Sequence, residues 1–240
     1  LYGVELDSLT GRIAQQLYPD ADIQIKGFEQ TSFADNSFDA AIGNVPFGDY
    51  KLNDKKYNDS NFLIHDYFFA KSLDKVRPGG IVAFVTSHGT LDKENPDVRK
   101  YIAERAELLG AVRLPNNAFK ANAGTEVTSD IIFLRKRDRP IEINPDNVEW
   151  LKKAETPDGF SVNNYFVQHP EMVLGKIVEG NKMFGSTNDT SCVPIEGADL
   201  KQQLAEAMKN IHGEYKAAEI ETAPINADEI DAPENSRKYA

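Results

Sequence analysis

Residues 62–86, FLIHDYFFAKSLDKVRPGGIVAFVT, indicate the fold class more directly than any other stretch of this 240-residue chain. From Phe62 to Val76 the apolar residues recur at helical spacing, and Arg77-Pro-Gly-Gly predicts the end of that helix. The apolar run Ile81-Val-Ala-Phe-Val-Thr follows at once and is typical of a buried strand. A helix that passes directly into a buried strand is the repeating unit of α/β proteins, so the flanking sequence should contain further units.

The same alternation of strands and helices runs through the first 140 residues. Apolar runs predict further strands at 2–6, 23–25, 38–43, 110–115 and 128–135, with helices at 7–18 and 96–109. Strands separated by helices of about 10–15 residues form mostly parallel sheets that helices cover on both faces. The sequence therefore predicts an α/β, Rossmann-like, doubly wound sheet, and ligands bind such sheets at the carboxyl ends of the strands.

The chain is predicted to divide near residue 140, where the polar stretch Arg135–Pro140 closes a core of residues 1–140. Residues 141–240 form a C-terminal extension that we expect to be mainly helical, with an acidic tail over 222–240. The core carries 18 basic and 20 acidic residues, a net of −2, whereas the extension carries 9 and 18, a net of −9. The total of −11 therefore does not argue against a nucleic-acid surface on the core, because charges separated by more than about 8–10 Å are screened.

Several classes of protein are excluded by composition. Hydrophobic residues make up 40% of the chain, which rules out a fully disordered protein. No stretch approaches the roughly 18 consecutive apolar residues of a membrane span, and LYGVELDSLTGR at the start has no signal-peptide pattern. The single cysteine, Cys192, cannot form an internal disulfide, which fits a reducing compartment. We therefore expect a cytoplasmic protein that makes no membrane contact.

The strand predicted at 38–43 ends in Asn44-Val45-Pro46-Phe47, a corner with unusual chemistry. Proline fixes one backbone angle, so the nearby carbonyl groups point in set directions. Asn44 offers an amide oxygen and an amide NH₂, and Phe47 offers a flat face on which a base could stack. Acceptors that converge above a ring suit the binding of an exocyclic amino group, although an ordinary strand-to-loop turn could carry the same residues.

Several blocks of the sequence, in the right order, resemble the amino-methyltransferases that use S-adenosylmethionine, whose fourth motif is (D/N/S)-P-P-(Y/F/W). The resemblance is strongest to N6-adenine DNA methylases of the N-P-P-F class, including type I-like modification subunits, and to the N-V-P-F-G methylases of helicase-linked proteins on phage and conjugative elements. Val45 departs from the usual first proline, but the family uses the backbone carbonyl there. The matching blocks are Gly3–Asp7, Asp39–Gly48, Arg77–Ser87, Gly110–Asn116 and Ala123–Leu134.

The resemblance implies methyl transfer from S-adenosylmethionine to the N6 amino group of adenine in DNA, without a metal. Asn44 and the Val45–Pro46 backbone would accept from the amino group, and the flipped base would stack on Phe47. The implied partners are DNA and the helicase-like domains of a longer polypeptide. Other readings stay open: a methylase of RNA or of protein glutamine, and a non-catalytic DNA-binding or interaction module.

Two acidic residues are candidates for cofactor binding. Glu5 ends the first predicted strand, where a carboxylate can accept both ribose hydroxyls, and the resemblance assigns it that role, while Asp7 is expected to cap the following helix. Glu29 follows the second strand, where the family often contacts the adenine of the cofactor. The family's glycine-rich loop should precede the ribose-binding acid by about 20 residues. Only four residues precede Glu5, so we expect the chain to lack the first strand and this loop and to bind the cofactor weakly or not at all.

The loop after the corner interleaves basic and aromatic residues, a pattern typical of DNA contacts and equally of a solvated lid. Its candidate residues are Tyr50, Lys51, Lys55, Lys56 and Tyr57. His65 opens a helix and is expected to be a cap or a buried polar group rather than a base. Asn164–Gly175 resembles a segment that follows the methylase in the same family, and we expect it to be a docking element.

Overall fold

The computed structural model describes residues 1–180 and 190–213, so the predicted acidic tail lies outside the described residues. The elements of the core alternate as the sequence predicted. They are β1 (Tyr2–Glu5), α1 (Ser8–Leu17), β2 (Asp22–Ile25), β3 (Phe38–Asn44), α2 (Ile64–Lys75), β4 (Val76–Ser87), α3 (Gly89–Asp92), α4 (Asp97–Arg105), β5 (Ala106–Leu114), α5 (Lys120–Ala123) and β6 (Ser129–Lys136).

Four strands form the central sheet in the order β3-β4-β6-β5. Strands β3 and β4 are parallel, and β6 is antiparallel to both β4 and β5. Strands β3, β4 and β5 therefore run in one direction, and β6 alone opposes them. Helix α2 packs against β4 and also contacts α4, which in turn contacts β5. This is the predicted α/β architecture, with one reversed strand inside an otherwise parallel set.

Strands β1 and β2 form a separate parallel pair. Tyr2 of β1 packs edge-on against Phe38 of β3, with 5.2 Å between ring centroids, so the two sheets lie close together. Among the described residues, no strand pairs with the second edge of β1 or with the outer edge of β3. Apolar side chains are exposed there, because Ile42 of β3 is 82% accessible and one stripe of α1 faces solvent.

Local apolar spacing misplaced two boundaries. The helix predicted to end at Leu109 ends at Arg105, because Ala106–Leu108 pair with β6. Strand β4 begins at Val76, so Arg77-Pro-Gly-Gly lies within the strand rather than before it. Gly80 is required at this point, since a Cβ atom would lie 2.6 Å from the backbone oxygen of Asp39 in β3.

The extension is more mixed than the mainly helical segment that was predicted. It contains two antiparallel strand pairs besides its helices, because short alternating runs pair with each other. The elements are β7 (Lys153–Glu155), β8 (Ser161–Asn163), α6 (Asn164–Gln168), β9 (Lys176–Glu179), β10 (Thr190–Val193) and α7 (Leu200–Met208).

The described part of the extension shares the hydrophobic core of residues 1–140. Phe166, Met172 and Leu174 are buried in the same cluster as Leu73, and the Leu174 amide donates to the Arg113 carbonyl of β5 at 2.9 Å. These contacts place Asn164–Gly175 directly on the sheet. The division at residue 140 and the docking role of this segment stay predictions.

Candidate active site at the carboxyl ends of the parallel strands

The Asn-Val-Pro-Phe corner is anchored by one buried residue and presents its other side chains to solvent. Asn44 ends β3 beside Val85 of β4, and the Val45 amide donates to the Val85 carbonyl at 3.0 Å. The Val45 side chain is only 3% exposed and belongs to the main core, whereas Asn44 and Pro46 are exposed. The buried Val45 side chain and the hydrogen bond to Val85 therefore fix the position of the corner.

Phe47 completes the corner with a ring that is 40% exposed. An aromatic side chain of this size is ordinarily buried, so its exposure leaves a flat apolar surface without a full partner. The Asn44 amide lies three residues away on the same corner, at the carboxyl end of β3. The corner therefore carries a polar amide and an exposed aromatic ring together, and their role in binding a base stays a prediction.

Glu5 ends β1 and Glu29 follows β2, so both residues lie at the carboxyl-end edge of this two-stranded sheet. Glu5 ends β1, and its backbone oxygen accepts from the Lys26 amide just after β2, at 3.0 Å. Glu29 lies in a short 3-10 turn, half-buried, and its carboxylate accepts from the neighbouring Gln30 side chain. One Glu5 oxygen accepts from the Asp7 amide at 2.8 Å, which leaves the second oxygen for another donor.

Asp7 has the capping role that the sequence assigned to it. Its side chain accepts from the Thr10 amide at 2.7 Å at the start of α1. These hydrogen bonds to the charged form lower the pKa of the Asp7 carboxyl. Because Asp7 caps the helix, Glu5 is not needed for that purpose.

The loop of predicted DNA contacts divides into two groups. The Tyr57 hydroxyl donates to Asp74 at 2.6 Å and its ring is 6% exposed. Lys56 forms ion pairs with Asp35 and Asp74, at 3.0 and 2.7 Å. Tyr57 therefore contributes to the core, whereas the Lys56 side chain is 52% exposed, and the DNA-contact role of both residues stays a prediction.

The other three candidate residues of the loop also have exposed side chains. Tyr50 is 54% exposed, and Lys51 and Lys55 are exposed as well. The Lys51 ammonium donates to the side-chain oxygen of Asn61. These residues lie directly after the Asn44–Gly48 corner, so they stay available for contacts with a bound polymer.

Residues 1–164 match the N-6 DNA Methylase family. That match covers more than half of the chain and includes β1, the corner and all four strands of the central sheet. The chain belongs to the N-6 DNA methylase family.

Individual proteins are similar to this chain over parts of their length. Over 138 residues it is 39% identical to the Defense against restriction protein B of Escherichia phage P1, which corresponds to 55% of this chain and 6% of that protein. The EcoKI M protein of a type I restriction enzyme is 15% identical, with a TM-score of 0.47, over 69% of this chain and 33% of that one. The N-methyltransferase NodS of Bradyrhizobium japonicum is 14% identical, with a TM-score of 0.40, over 57% and 66%. The chain thus spans only a small part of the phage relative.

The sequence analysis did not predict two clusters of buried polar residues in this chain. In the first, Arg113 of β5 is fully buried and binds Asp130 of β6 through two contacts of 2.9 Å. A third contact of 2.9 Å joins the Arg113 guanidinium to Asp92. Burial opposes ionisation of Asp92, but Arg113 more than offsets it, and the pKa of Asp92 is lowered.

The Arg113 cluster also reaches the extension. The Asn163 amide donates to the second Asp92 oxygen at 2.8 Å, and the guanidinium of Arg113 lies 4.2 Å from the centre of the Phe166 ring. The cluster therefore joins β5, β6 and the segment after β4 to residues 163–166. Only knowledge of which residues pair between β5 and β6 could have revealed this cluster.

The second cluster lies beside the corner. His65 and Asp66, at the start of α2, meet Lys93, just after α3, and both acidic oxygens of Asp66 accept from the Lys93 ammonium at 3.0 and 3.2 Å. His65 is 5% exposed, which agrees with the expectation of a buried polar group. Both ends of this cluster are close to the carboxyl edge of the sheet. The start of α2 follows the loop after β3, and α3 follows β4, which runs parallel to β3.

The single cysteine of the chain lies away from solvent. Cys192 is buried in β10, and burial raises the pKa of its thiol to about 12. No helix among residues 1–180 and 190–213 is long and apolar enough to cross a membrane.

Proposed function

We propose that this methylase transfers a methyl group from S-adenosylmethionine to the N6 amino group of adenine in DNA. The observation that carries the proposal is the corner itself. Val45 fixes it to the core and to β4, while Asn44 and the Phe47 ring remain exposed at the carboxyl end of β3. Membership of the N-6 DNA methylase family supports this reaction type.

The residues of the corner would act on the target base in two ways. The Asn44 side-chain oxygen and the Val45–Pro46 backbone carbonyls accept from the amino group, which keeps its lone pair available. Phe47 stacks on the base after it leaves the duplex, and such stacking contributes about 1–3 kcal/mol towards the unstacking cost of a few kcal/mol. The amino nitrogen would take the methyl group that S-adenosylmethionine supplies when bound, in exchange for one of its own protons. The displaced amino proton passes to water.

The two carboxylates present fit the nucleoside half of S-adenosylmethionine, which supplies the methyl group when bound. Glu5 keeps one carboxylate oxygen for the ribose hydroxyls, and Glu29 lies after the adjacent strand for the adenine. Tyr50, Lys51 and Lys55 would contact the DNA strand beside the corner, where lysines bind phosphates and tyrosine stacks. The link to a helicase-like domain stays a prediction.

The proposal is tested by incubating the full-length polypeptide with S-adenosylmethionine and unmethylated DNA, then digesting the DNA to nucleosides for mass spectrometry. We expect N6-methyladenine. N4-methylcytosine would show that the amino group is correct and the base is wrong. Methyl groups found only on RNA or on protein glutamine would contradict the DNA substrate, and no methyl transfer at all would favour a non-catalytic module.

We expect residues 1–240 alone to bind S-adenosylmethionine more weakly than the micromolar range. Among the described residues, the second edge of β1 and the outer edge of β3 are unpaired, so no neighbouring strand supports Glu5 from that side. Isothermal titration calorimetry measures the affinity directly, with S-adenosylhomocysteine as a second ligand. A micromolar dissociation constant would show that Glu5 and Glu29 suffice.

A further inference from the structure

His65, at the start of α2, has a ring nitrogen that takes no part in the proposed reaction. The Nε2 atom of His65 lies 2.8 Å from the Lys93 ammonium, and the same ammonium binds Asp66. An ammonium group only donates, so Nε2 accepts in this contact. Burial lowers the pKa of His65, Asp66 and Asp49 oppose this effect, and Lys93 adds to it. The ring is therefore neutral near neutral pH.

A neutral imidazole carries its proton on one nitrogen, and Lys93 occupies the lone pair of Nε2. An Asp66 oxygen also lies 3.3 Å from Nε2, but the contact with Lys93 is shorter at 2.8 Å, and we infer from it that the proton lies on Nδ1. This N–H group is buried and has no hydrogen-bond partner within the described residues. Leaving such a donor unsatisfied is unfavourable, so an acceptor that arrives during function would be bound favourably.

The loop that contains the corner passes directly over the start of α2. The Ile64 amide, one residue before His65, donates to the Tyr50 carbonyl at 2.9 Å. Asp49 is exposed, precedes Tyr50, and its charge acts on the His65 ring. Asp49 is also only two residues from Phe47. An acceptor for Nδ1–H is thus available on the same loop that carries the stacking ring.

We propose that His65 is a positioning residue, whose Nδ1–H donates to the Asp49 carboxylate when a target base occupies the corner. This inference rests on the proposed function and adds to it how the loop is held during the reaction. The hydrogen bond joins the loop to α2 two residues from Phe47, and so restrains the ring against the base. Lys93 keeps the imidazole in the tautomer that can donate, and Asp66 holds Lys93 in place.

Steady-state methylation by the full-length polypeptide tests the coupling between the two residues. His65→Phe and Asp49→Ala should each lower kcat about tenfold, as expected for the loss of one charge-assisted hydrogen bond, with little change in KM for DNA. The double variant should be no slower than either single variant. His65→Asn keeps an N–H near the position of Nδ1 and should recover most of the rate. Asp59→Ala removes another exposed acid of the same loop and should leave kcat unchanged.

Nitrogen-15 NMR of the histidine rings gives a second readout that does not depend on methylation. We expect His65 as the Nδ1–H tautomer, with a shift change on addition of DNA that is absent in Asp49→Ala. An Nε2–H tautomer, or additive losses in the double variant, would overturn the role of His65. If the wild-type protein forms no methylated adenine, the proposed function fails, and the NMR result still decides whether His65 binds Asp49.

Discussion

Replacing Asn44 by alanine should lower the rate of N6 methylation about 10²–10³-fold, the range found when one preorganised hydrogen-bonding group is removed from an active site. Asn44 is exposed at the end of β3 and makes no core contact, so the fold should be retained. The loss should appear in kcat rather than in DNA affinity, because the amide oxygen acts on the amino group and not on the DNA backbone.

Two further variants make this experiment specific. Asn44→Asp keeps an acceptor oxygen at the same position and should retain more activity than Asn44→Ala. Asn147→Ala removes an exposed asparagine of the extension and should be neutral. Nucleoside mass spectrometry under single-turnover conditions measures the rate of methyl transfer. A rate within threefold of wild type for Asn44→Ala would contradict the assignment of the corner, even if the protein methylates DNA.

Local apolar spacing was sufficient for the elements that carry the corner. Strand β3 was predicted at 38–43 and lies at Phe38–Asn44, and helix α2 was predicted at 62–76 and lies at Ile64–Lys75. Most residues of α2 are buried and β3 pairs directly with β4, so a local apolar run was enough to locate both elements. The corner could be found for the same reason, since it is contiguous and ends a predicted strand.

Contacts between distant residues could not be predicted in this way. Ala106 continues a helical pattern, but its pairing with Lys136 of β6 decides the structure. The basic and aromatic pattern of the loop is the same whether Tyr57 faces DNA or the protein, and only Asp74 on α2 settles its position. The spacing of residues does not reveal such partners, because they come together through tertiary packing.

The open edges of β1 and β3 connect the fold with the function. Exposed strand edges ordinarily carry charges or bulges that prevent pairing with other strands. Here the exposed Ile42 of β3 is two residues from Asn44, and helix α1, which exposes apolar side chains, follows Glu5 in the chain. The halves of the proposed site thus stand on two sheets whose described residues do not pair with each other.

Replacing Arg113 by methionine should lower the free energy of unfolding by about 3–5 kcal/mol, as is typical when one partner of a buried ion pair is removed. The change leaves Asp130, which is fully buried, and Asp92, which is nearly so, without the positive charge that both contact. Part of the loss should come from the extension, because Phe166 packs on the guanidinium and Asn163 binds Asp92.

Urea titration followed by circular dichroism measures this loss, and two variants serve as controls. Arg135→Met removes an arginine of β6 whose contact with Glu107 is partly exposed, so it should cost no more than about 1 kcal/mol. Asp130→Asn keeps the Arg113–Asp92 contact and should cost less than Arg113→Met. If Arg113→Met were no more destabilising than Arg135→Met, the buried cluster would not be what joins the extension to the sheet. A large loss for Arg113→Met alone would show that the buried guanidinium, which contacts Asp92, Asp130 and Phe166, is a main contributor to the stability of the fold.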